Sequence, residues 1–126
     1  MGSSRPARLA VGVVSAGRVG AVVGAAWAAA GHRVIATSGV SKASLDRAAA
    51  LLPGVPVRAP DAVVAEADLA LLAVPDDVLP GMVRGLAAAG SFRPGQIVVH
   101  TSGAHGVAVL DPATVEGVLP LALPSG

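Results

Sequence analysis

The stretch SAGRVG, residues 15–20, has the glycine spacing of a phosphate-binding turn. It matches the dinucleotide fingerprint G-x-G-x-x-G except at its first position, where a serine stands in place of the glycine that permits the tight turn. At the other two positions, Gly17 would let the backbone approach a pyrophosphate and Gly20 would let a helix pack closely on a strand. Backbone N–H groups at the start of that helix would face the phosphates. We therefore expect the following residues to contact a dinucleotide: Ser15, Ala16, Gly17, Arg18 and Val19.

Two other interpretations of this region exist, because residues 11–31 are apolar and follow Arg5 and Arg8. A basic start, an apolar run and small residues around Trp27 are also typical of a secretory signal or a membrane helix. Arg18 argues against both, since a charge at the centre of a spanning helix costs roughly 2.5–3.5 kcal/mol. Divided at Arg18, neither piece approaches the roughly 20 residues that a spanning helix needs. A strand, a glycine turn and a helix are therefore expected here, and no membrane contact.

The residues about 20 positions beyond the glycine turn bear on the choice between NAD and NADP. NAD-binding domains usually keep an acidic residue there, whereas this sequence has Thr37 and Ser38, and the first nearby charges are Lys42 and Arg47. No Asp or Glu lies between this point and Asp46. Since no carboxylate repels a phosphate and a cation is near, the sequence favours NADP, with NAD as the alternative. The competing interpretation is that Ser41 caps the next helix and Lys42 is merely solvated.

The segment that follows the apolar run 68–74 lies at the carboxyl end of a predicted strand, where open α/β sheets bind their ligands. We expect Val74 and Pro75 to form the wall beside the nicotinamide ribose. The paired aspartates Asp76 and Asp77 could support acid–base chemistry, but Asp also favours the N-cap of a helix. Capping of the next helix is the preferred interpretation, and Asp76 is given no catalytic role.

His100, Thr101 and Ser102 end another predicted strand at the same rim, and His105 follows shortly after. Their position suits contact with the nicotinamide or the substrate, and equally suits hydrogen bonds to the loop backbone. A metal site would need a third ligand, which the sequence does not obviously offer, so none is expected. A Ser–His–Asp hydrolase is formally consistent with these residue types, but Ser102 lacks the glycine pattern of a nucleophile elbow. No catalytic residue is identified.

The elements that would position these residues alternate between strands and helices. Strands are predicted at residues 9–14, 32–37, 55–58, 68–74, 96–101 and 115–123. Helices are predicted from the glycine turn to Gly31, from Ser41 to Leu52, over 61–67 and from about Leu79 to Gly90, with a helical turn at 106–110. This alternation predicts a doubly wound, mostly parallel α/β sheet with helices on both faces. We expect a single domain over residues 9–126, after a flexible N-terminus of residues 1–8.

The composition agrees with one buried core and limits the partners. The chain has 126 residues, of which 53% are hydrophobic and 13% charged, so elements buried on both faces are expected. A net charge of +1 and 2% aromatic residues argue against nucleic-acid binding. The chain has no cysteine, which excludes a disulfide framework and a thiol nucleophile. This fits a reducing compartment, and a cytoplasmic location is expected.

Three segments together resemble the Rossmann-like NAD(P)-binding domain of an oxidoreductase family. That family is related to pyrroline-5-carboxylate reductases, deazaflavin-dependent NADP reductases and 6-phosphogluconate dehydrogenase-type proteins. The segments are GVVSAGRVGAVVGAAWAAAGHRV (12–34), DLALLAVPDDVLPGMV (68–83) and QIVVHTSGAHGVAVL (96–110). The resemblance implies an NADP-dependent oxidoreductase that transfers a hydride to or from an unidentified small substrate. The alternative is a non-catalytic dinucleotide-binding or regulatory module.

The resemblance also implies a helical C-terminal domain, which in the family pairs protomers and closes the substrate cleft. The sequence stops at residues 124–126, where the family would run on, so it resembles only the cofactor-binding half. Complete catalysis by this chain alone is therefore not expected. We expect instead self-association, or a partner that supplies the helical half, because the uncovered rim would be apolar.

Overall fold

The computed structural model describes residues 9–15, 17–39 and 41–123, so the predicted flexible N-terminus lies outside the described residues. In these ranges one parallel sheet has the strand order β2-β1-β3-β4-β5. Its strands are β1 (Ala10–Val14), β2 (Arg33–Thr37), β3 (Leu69–Leu72), β4 (Ile97–His100) and β5 (Leu119–Ala122). The helices are α1 (Arg18–Ala29), α2 (Lys42–Leu51), α3 (Pro60–Glu66), α4 (Leu79–Ala88) and α5 (Asp111–Thr114), with a 3₁₀ turn at Val107–Leu110. The predicted parallel α/β architecture is confirmed.

Both faces of the sheet are covered, because alternate residues of each strand enter different cores. On one face α1 packs Val23 and Trp27 against a cluster that contains Val13, so the predicted packing role of Trp27 is confirmed. On the other face α3 and α4 cover a larger cluster that contains Val14 and Leu72. Short apolar strands buried on both sides are typical of parallel sheets. Among the described residues, no helix has the length and apolar character that crossing a bilayer requires.

The strand order places a topological switch point between β1 and β3. From β1 the chain moves outward to β2 through α1, and it then crosses the opposite face through α3 to reach β3 on the other side of β1. The loops that leave the carboxyl ends of β1 and β3 therefore run in opposite directions and leave a crevice between them. Ligands of open α/β sheets bind at such a point.

The predicted third strand, residues 55–58, is wrong. Only one isolated bridge forms there, between Thr37 and Val57. The Thr37 N–H donates to the Pro56 carbonyl at 3.0 Å, and the Arg58 N–H donates to the Thr37 carbonyl at 2.8 Å. Pro56 has no N–H of its own to extend the ladder, and Val57 is 47% exposed, so no buried face stabilises a strand. The sheet of the described residues consequently has five strands instead of six.

The predicted last strand, residues 115–123, is too long. Strand β5 covers only Leu119–Ala122, and the residues before it form α5 and a turn at Gly117, where φ is +93°. Pro112 near the start of α5 explains the helix, since proline is favoured in the first turn. Pro120 is tolerated in β5 because this strand lies at the sheet edge. The four remaining strands end within two residues of their predicted bounds.

Candidate functional site

A cleft of about 400 Å³ opens at the carboxyl ends of β1, β2 and β3, at the switch point. Three loops and the helices that follow them supply most of its lining. The lining residues are Val14, Ser15 and Gly17 after β1; Ser38, Gly39, Ser41, Ser44 and Arg47 after β2; Val74, Pro75, Val78 and Met82 after β3; and Pro60. The cleft therefore joins the glycine turn to the ends of two neighbouring strands, which is where this topology binds ligands.

Ser15 takes the backbone conformation that the fingerprint normally reserves for glycine. Its φ is +75°, in the left-handed region, and it is the only non-glycine residue with positive φ in the described part of the chain. That conformation costs an L-residue about 1–2 kcal/mol. The Ser15 N–H donates to the Ser38 hydroxyl at 2.7 Å, and this hydrogen bond connects the turn to the end of β2. Serine thus keeps the geometry of the first fingerprint position.

The two fingerprint glycines meet different surroundings. At Gly17 the backbone is extended, with φ of −68°, and among the described residues an added Cβ would meet only the Ser15 hydroxyl, at 3.6 Å. At Gly20 an added Cβ would lie 2.4 Å from the Ser15 carbonyl oxygen and 3.0 Å from the Cβ of Ala73. Close packing of helix on strand therefore requires the glycine at residue 20, as predicted. No contact in the described part of the chain requires a glycine at residue 17, where the free space belongs to the cleft.

The N-terminus of α1 is open toward the glycine turn. Gly17 is its N-cap residue, it has no side-chain capping bond, and the first turn carries no acidic residue. First-turn N–H groups without a capping side chain, together with the positive end of the helix dipole, suit an anion such as a pyrophosphate. Of the other predicted contacts, Ala16 and the side chain of Arg18 lie outside the described residues, and Val19 is 46% exposed on α1.

The residues that were predicted to bind the ribose at the end of β2 differ in whether they line the cleft. Ser38 lines the cleft, whereas Thr37 is fully buried and its hydroxyl donates to the Val13 carbonyl at 3.0 Å. Ser41 caps α2 as predicted, in a reciprocal capping box with Ser44. Lys42 does not line the cleft: its side chain is 88% exposed.

The other nearby cation, Arg47, does line this wall, although the sequence analysis did not include it among the cofactor-binding residues. Its signal in the sequence is the three-residue spacing from Ser41 through Ser44 to Arg47, which puts the three on one face of a helix. Gly39, Pro60, Val78 and Met82 were missed as well. Their signal is weaker, because apolar residues and glycine carry no chemistry that a pattern can single out.

At the end of β3, Val74 and Pro75 line the cleft. The predicted capping role of the aspartates is wrong, because α4 begins at Leu79 with Val78 as its N-cap and has no side-chain capping bond. A turn precedes the helix, in which the Pro75 carbonyl accepts hydrogen bonds from the N–H groups of Val78 and Leu79. Asp76 lies in this turn, where its carboxylate accepts a hydrogen bond from the Ser102 hydroxyl at 2.5 Å.

The strand-end residues of β4 hold the following loop and do not line the cleft. His100 is fully buried; its Nδ1 accepts from the Ser102 N–H at 3.0 Å, and its Nε2 lies 2.9 Å from the Gly106 carbonyl. This pattern fixes the tautomer with hydrogen on Nε2. Ser102 is also buried, and Thr101 between them is partly buried. His100 and Ser102 thus form hydrogen bonds with the loop backbone, which was the alternative to contact with the nicotinamide or the substrate.

The contacts of Ser102 and His105 show whether the residues of a Ser–His–Asp hydrolase are arranged for catalysis here. The Ser102 hydroxyl donates to Asp76, and Nε2 of His105 contacts the Asp76 carbonyl at 2.8 Å, so the serine–histidine contact of a hydrolase is not formed. Among the described residues, no three His, Cys, Asp or Glu side chains are grouped so as to hold a metal ion.

Comparisons with known proteins agree with this architecture. A family model described as Rossmann-like domain matches residues 1–125, whereas comparison with curated protein sequences gives no match. Among solved structures, 3-hydroxyisobutyrate dehydrogenase of Mycobacterium tuberculosis is 25% identical with a TM-score of 0.76, over 94% of this chain and 40% of that chain. An imine reductase of Streptomyces aurantiacus is 22% identical with a TM-score of 0.63, over 89% and 39% of the two chains.

A semialdehyde dehydrogenase NAD-binding protein of Cupriavidus necator, solved with calcium and NAD, is also similar. It is 25% identical with a TM-score of 0.61, over 78% of this chain and 34% of that chain. This chain therefore spans less than half the length of each of the three structures.

Proposed function

This chain belongs to the Rossmann-like domain family, and we propose that it binds a nicotinamide dinucleotide in the cleft as the cofactor domain of an NADP-dependent oxidoreductase. The observation that carries the proposal is Gly17. It stands at the open N-terminus of α1, lines the cleft, and has free space where a side chain would be. A glycine that the fold does not need, placed where a fingerprint glycine admits a pyrophosphate, indicates a site kept clear for that group.

The proposed cofactor lies across the carboxyl ends of three strands. Its pyrophosphate faces the turn at Ser15 and Gly17, and its adenosine ribose lies near Ser38. Val74 and Pro75 form the wall toward the nicotinamide ribose. The apolar side chains of Val14, Val78 and Met82 also line the cleft, which suits a bound base. The nicotinamide supplies the hydride chemistry when bound, and this chain contributes binding and orientation.

The proposal extends to the choice of cofactor. No carboxylate lines the cleft in the described residues, and a cation does, so a 2′-phosphate meets attraction without repulsion. We propose NADP as the cofactor, an unidentified small molecule as the substrate, and the cytoplasm as the location, which a chain without cysteine fits.

We expect the chain to bind NADPH more tightly than NADH, with the difference shrinking as salt is raised, because exposed charge pairs are screened. Calorimetry with both cofactors at low and at high salt measures this. If neither cofactor binds, the proposed function is wrong. If both bind with equal affinity, or NADH binds more tightly, dinucleotide binding stands and the assignment of NADP is wrong.

We further propose that the chain self-associates through the face of the sheet near β5. The register aligns Leu119 with Ile97 and Leu121 with Val99 on that face, and the two leucines are 58% and 51% exposed. An apolar stripe that runs from a core onto the surface often marks an interface. We expect a concentration-dependent dimer in light scattering that Leu121→Glu converts to monomer. A parent chain that is a clean monomer at high concentration would contradict this, and a helical partner protein would then be the alternative occupant.

A further inference from the structure

The loop that follows β4 is a closed turn built around the buried side chain of His100. Its Nδ1 accepts from the Ser102 N–H and its Nε2 donates to the Gly106 carbonyl, so one side chain holds both ends of the segment 102–106. Within the segment, the Ser102 hydroxyl accepts from the Ala104 N–H at 3.2 Å. The loop therefore presents its side chains from a backbone that a connected set of hydrogen bonds keeps in place.

This loop holds Asp76, in the loop after β3, at two different atoms. The Ser102 hydroxyl donates to the Asp76 carboxylate at 2.5 Å, and Nε2 of His105 lies 2.8 Å from the Asp76 main-chain carbonyl. Because a carbonyl can only accept, Nε2 is the donor of the second bond. Ser102 is buried and its acceptor is a carboxylate, so the bond from Ser102 is the stronger of the two.

Asp76 directly follows the wall that is proposed to face the nicotinamide ribose. Val74 and Pro75 line the cleft, whereas Asp76 and Ser102 do not. On its helix side the wall is held by the Pro75 carbonyl, which accepts from the Val78 N–H at 3.0 Å. On its other side it is held through Asp76 by the loop after β4. A hydrogen bond to Asp76 thus acts on Pro75 across a single peptide unit.

We infer that Ser102 is a positioning residue of the cofactor site: its hydrogen bond to Asp76 fixes the wall formed by Val74 and Pro75, against which the nicotinamide half of the cofactor binds. This inference rests on the proposed function. Ser102 acts through Asp76 and does not contact the cofactor itself. A wall that is fixed before binding spares the complex the cost of ordering it, so loss of the bond weakens the half of the ligand that the wall contacts.

The test compares two ligands that share their adenosine half. NADPH reaches the wall, whereas adenosine 2′,5′-bisphosphate has no nicotinamide half and does not. We expect Ser102→Ala to raise the dissociation constant of NADPH by about three- to tenfold in calorimetry, and that of the bisphosphate by less than about twofold. Thr114→Ala is the matched control, because it removes a hydroxyl that donates to the Leu110 carbonyl at 3.1 Å in a helix that does not line the cleft. Both constants should stay at the parent values in this control.

Variants of Asp76 show whether Ser102 acts through this carboxylate. Asp76→Ala should weaken NADPH to an extent similar to Ser102→Ala, and the double variant no more than either single one, because all three lose the same hydrogen bond. Asp76→Asn keeps an oxygen that accepts from the Ser102 hydroxyl and should retain most of the affinity. If Ser102→Ala lowers the melting temperature, Asp76→Ala carries the comparison of the two ligands, because the Asp76 side chain is exposed.

Three results would overturn the inference while the dinucleotide site stands. Unchanged NADPH affinity in both single variants would mean that the wall does not depend on this bond. An equal loss of NADPH and of the bisphosphate would mean that the bond only supports the fold. A further loss in the double variant would mean that Ser102 contacts the cofactor directly. Failure of the parent chain to bind NADPH would instead overturn the proposed function, and the inference with it.

Discussion

Replacing Gly17 with valine is expected to abolish dinucleotide binding while the chain remains folded. The cleft keeps free space at this residue, and a valine side chain would fill the space that the pyrophosphate must enter. The backbone there has an ordinary negative φ, so a side chain causes no conformational strain. The loss of glycine at the N-cap costs about 1 kcal/mol, which lowers the melting temperature by only a few degrees.

The measurement pairs calorimetry with thermal unfolding. We expect the dissociation constant of NADPH to rise by at least about 100-fold, which corresponds to about 2.7 kcal/mol. Gly85→Val is the matched control: it makes the same change at an exposed position of α4 that does not line the cleft and where an added Cβ meets nothing within 4 Å. This control is expected to bind like the parent. Unchanged affinity in Gly17→Val would remove the turn from the site.

The strands were predictable where the signal is local. Strands β1, β3 and β4 are short, apolar and free of Lys, Arg, Asp and Glu, and few arrangements other than a sheet buried on both sides accommodate such runs. Residues 55–58 have a similar appearance, with two valines between turn residues, but a strand also needs a neighbour and a buried face. Pro56 removes one donor and the segment lies beyond the edge of the core, so only one bridge with β2 remains.

The candidate site also has one part that a local sequence pattern predicts and other parts that depend on contacts between distant residues. The glycine turn is contiguous in the sequence, so its position between strand and helix could be predicted. The contact of Ser102 with Asp76 joins residues 26 positions apart, and it uses an aspartate that was predicted to cap the next helix. No local pattern reports such a contact. Which of the two nearby cations lines the cleft depends on helical phase, which puts Arg47 and not Lys42 on the face of α2 that borders it.

The other fingerprint glycine is expected to show the opposite behaviour, since Gly20→Ala should destabilise the fold itself. Its added Cβ would lie 2.4 Å from the Ser15 carbonyl oxygen, 3.0 Å from the Cβ of Ala73 and 3.3 Å from a methyl group of Val13. The nearest of these atoms is backbone, in a turn held in the left-handed conformation, so it cannot move aside as a flexible side chain would. Helix α1 would have to move away from β1, and the core that it shares with Val13 would loosen.

The magnitude follows from two opposed terms. Overpacking of this kind costs about 1–3 kcal/mol, and more where backbone must shift, whereas alanine gains about 1 kcal/mol over glycine in helix propensity. We expect a net loss of about 2 kcal/mol in the free energy of unfolding, measured by urea denaturation. Gly85→Ala is the control, because it gains the same propensity in an open part of α4 and should be stabilised by about 0.5–1 kcal/mol. If Gly20→Ala proves as stable as Gly85→Ala, α1 does not pack on β1 as closely as described, and Gly20 would then serve the ligand, as proposed for Gly17.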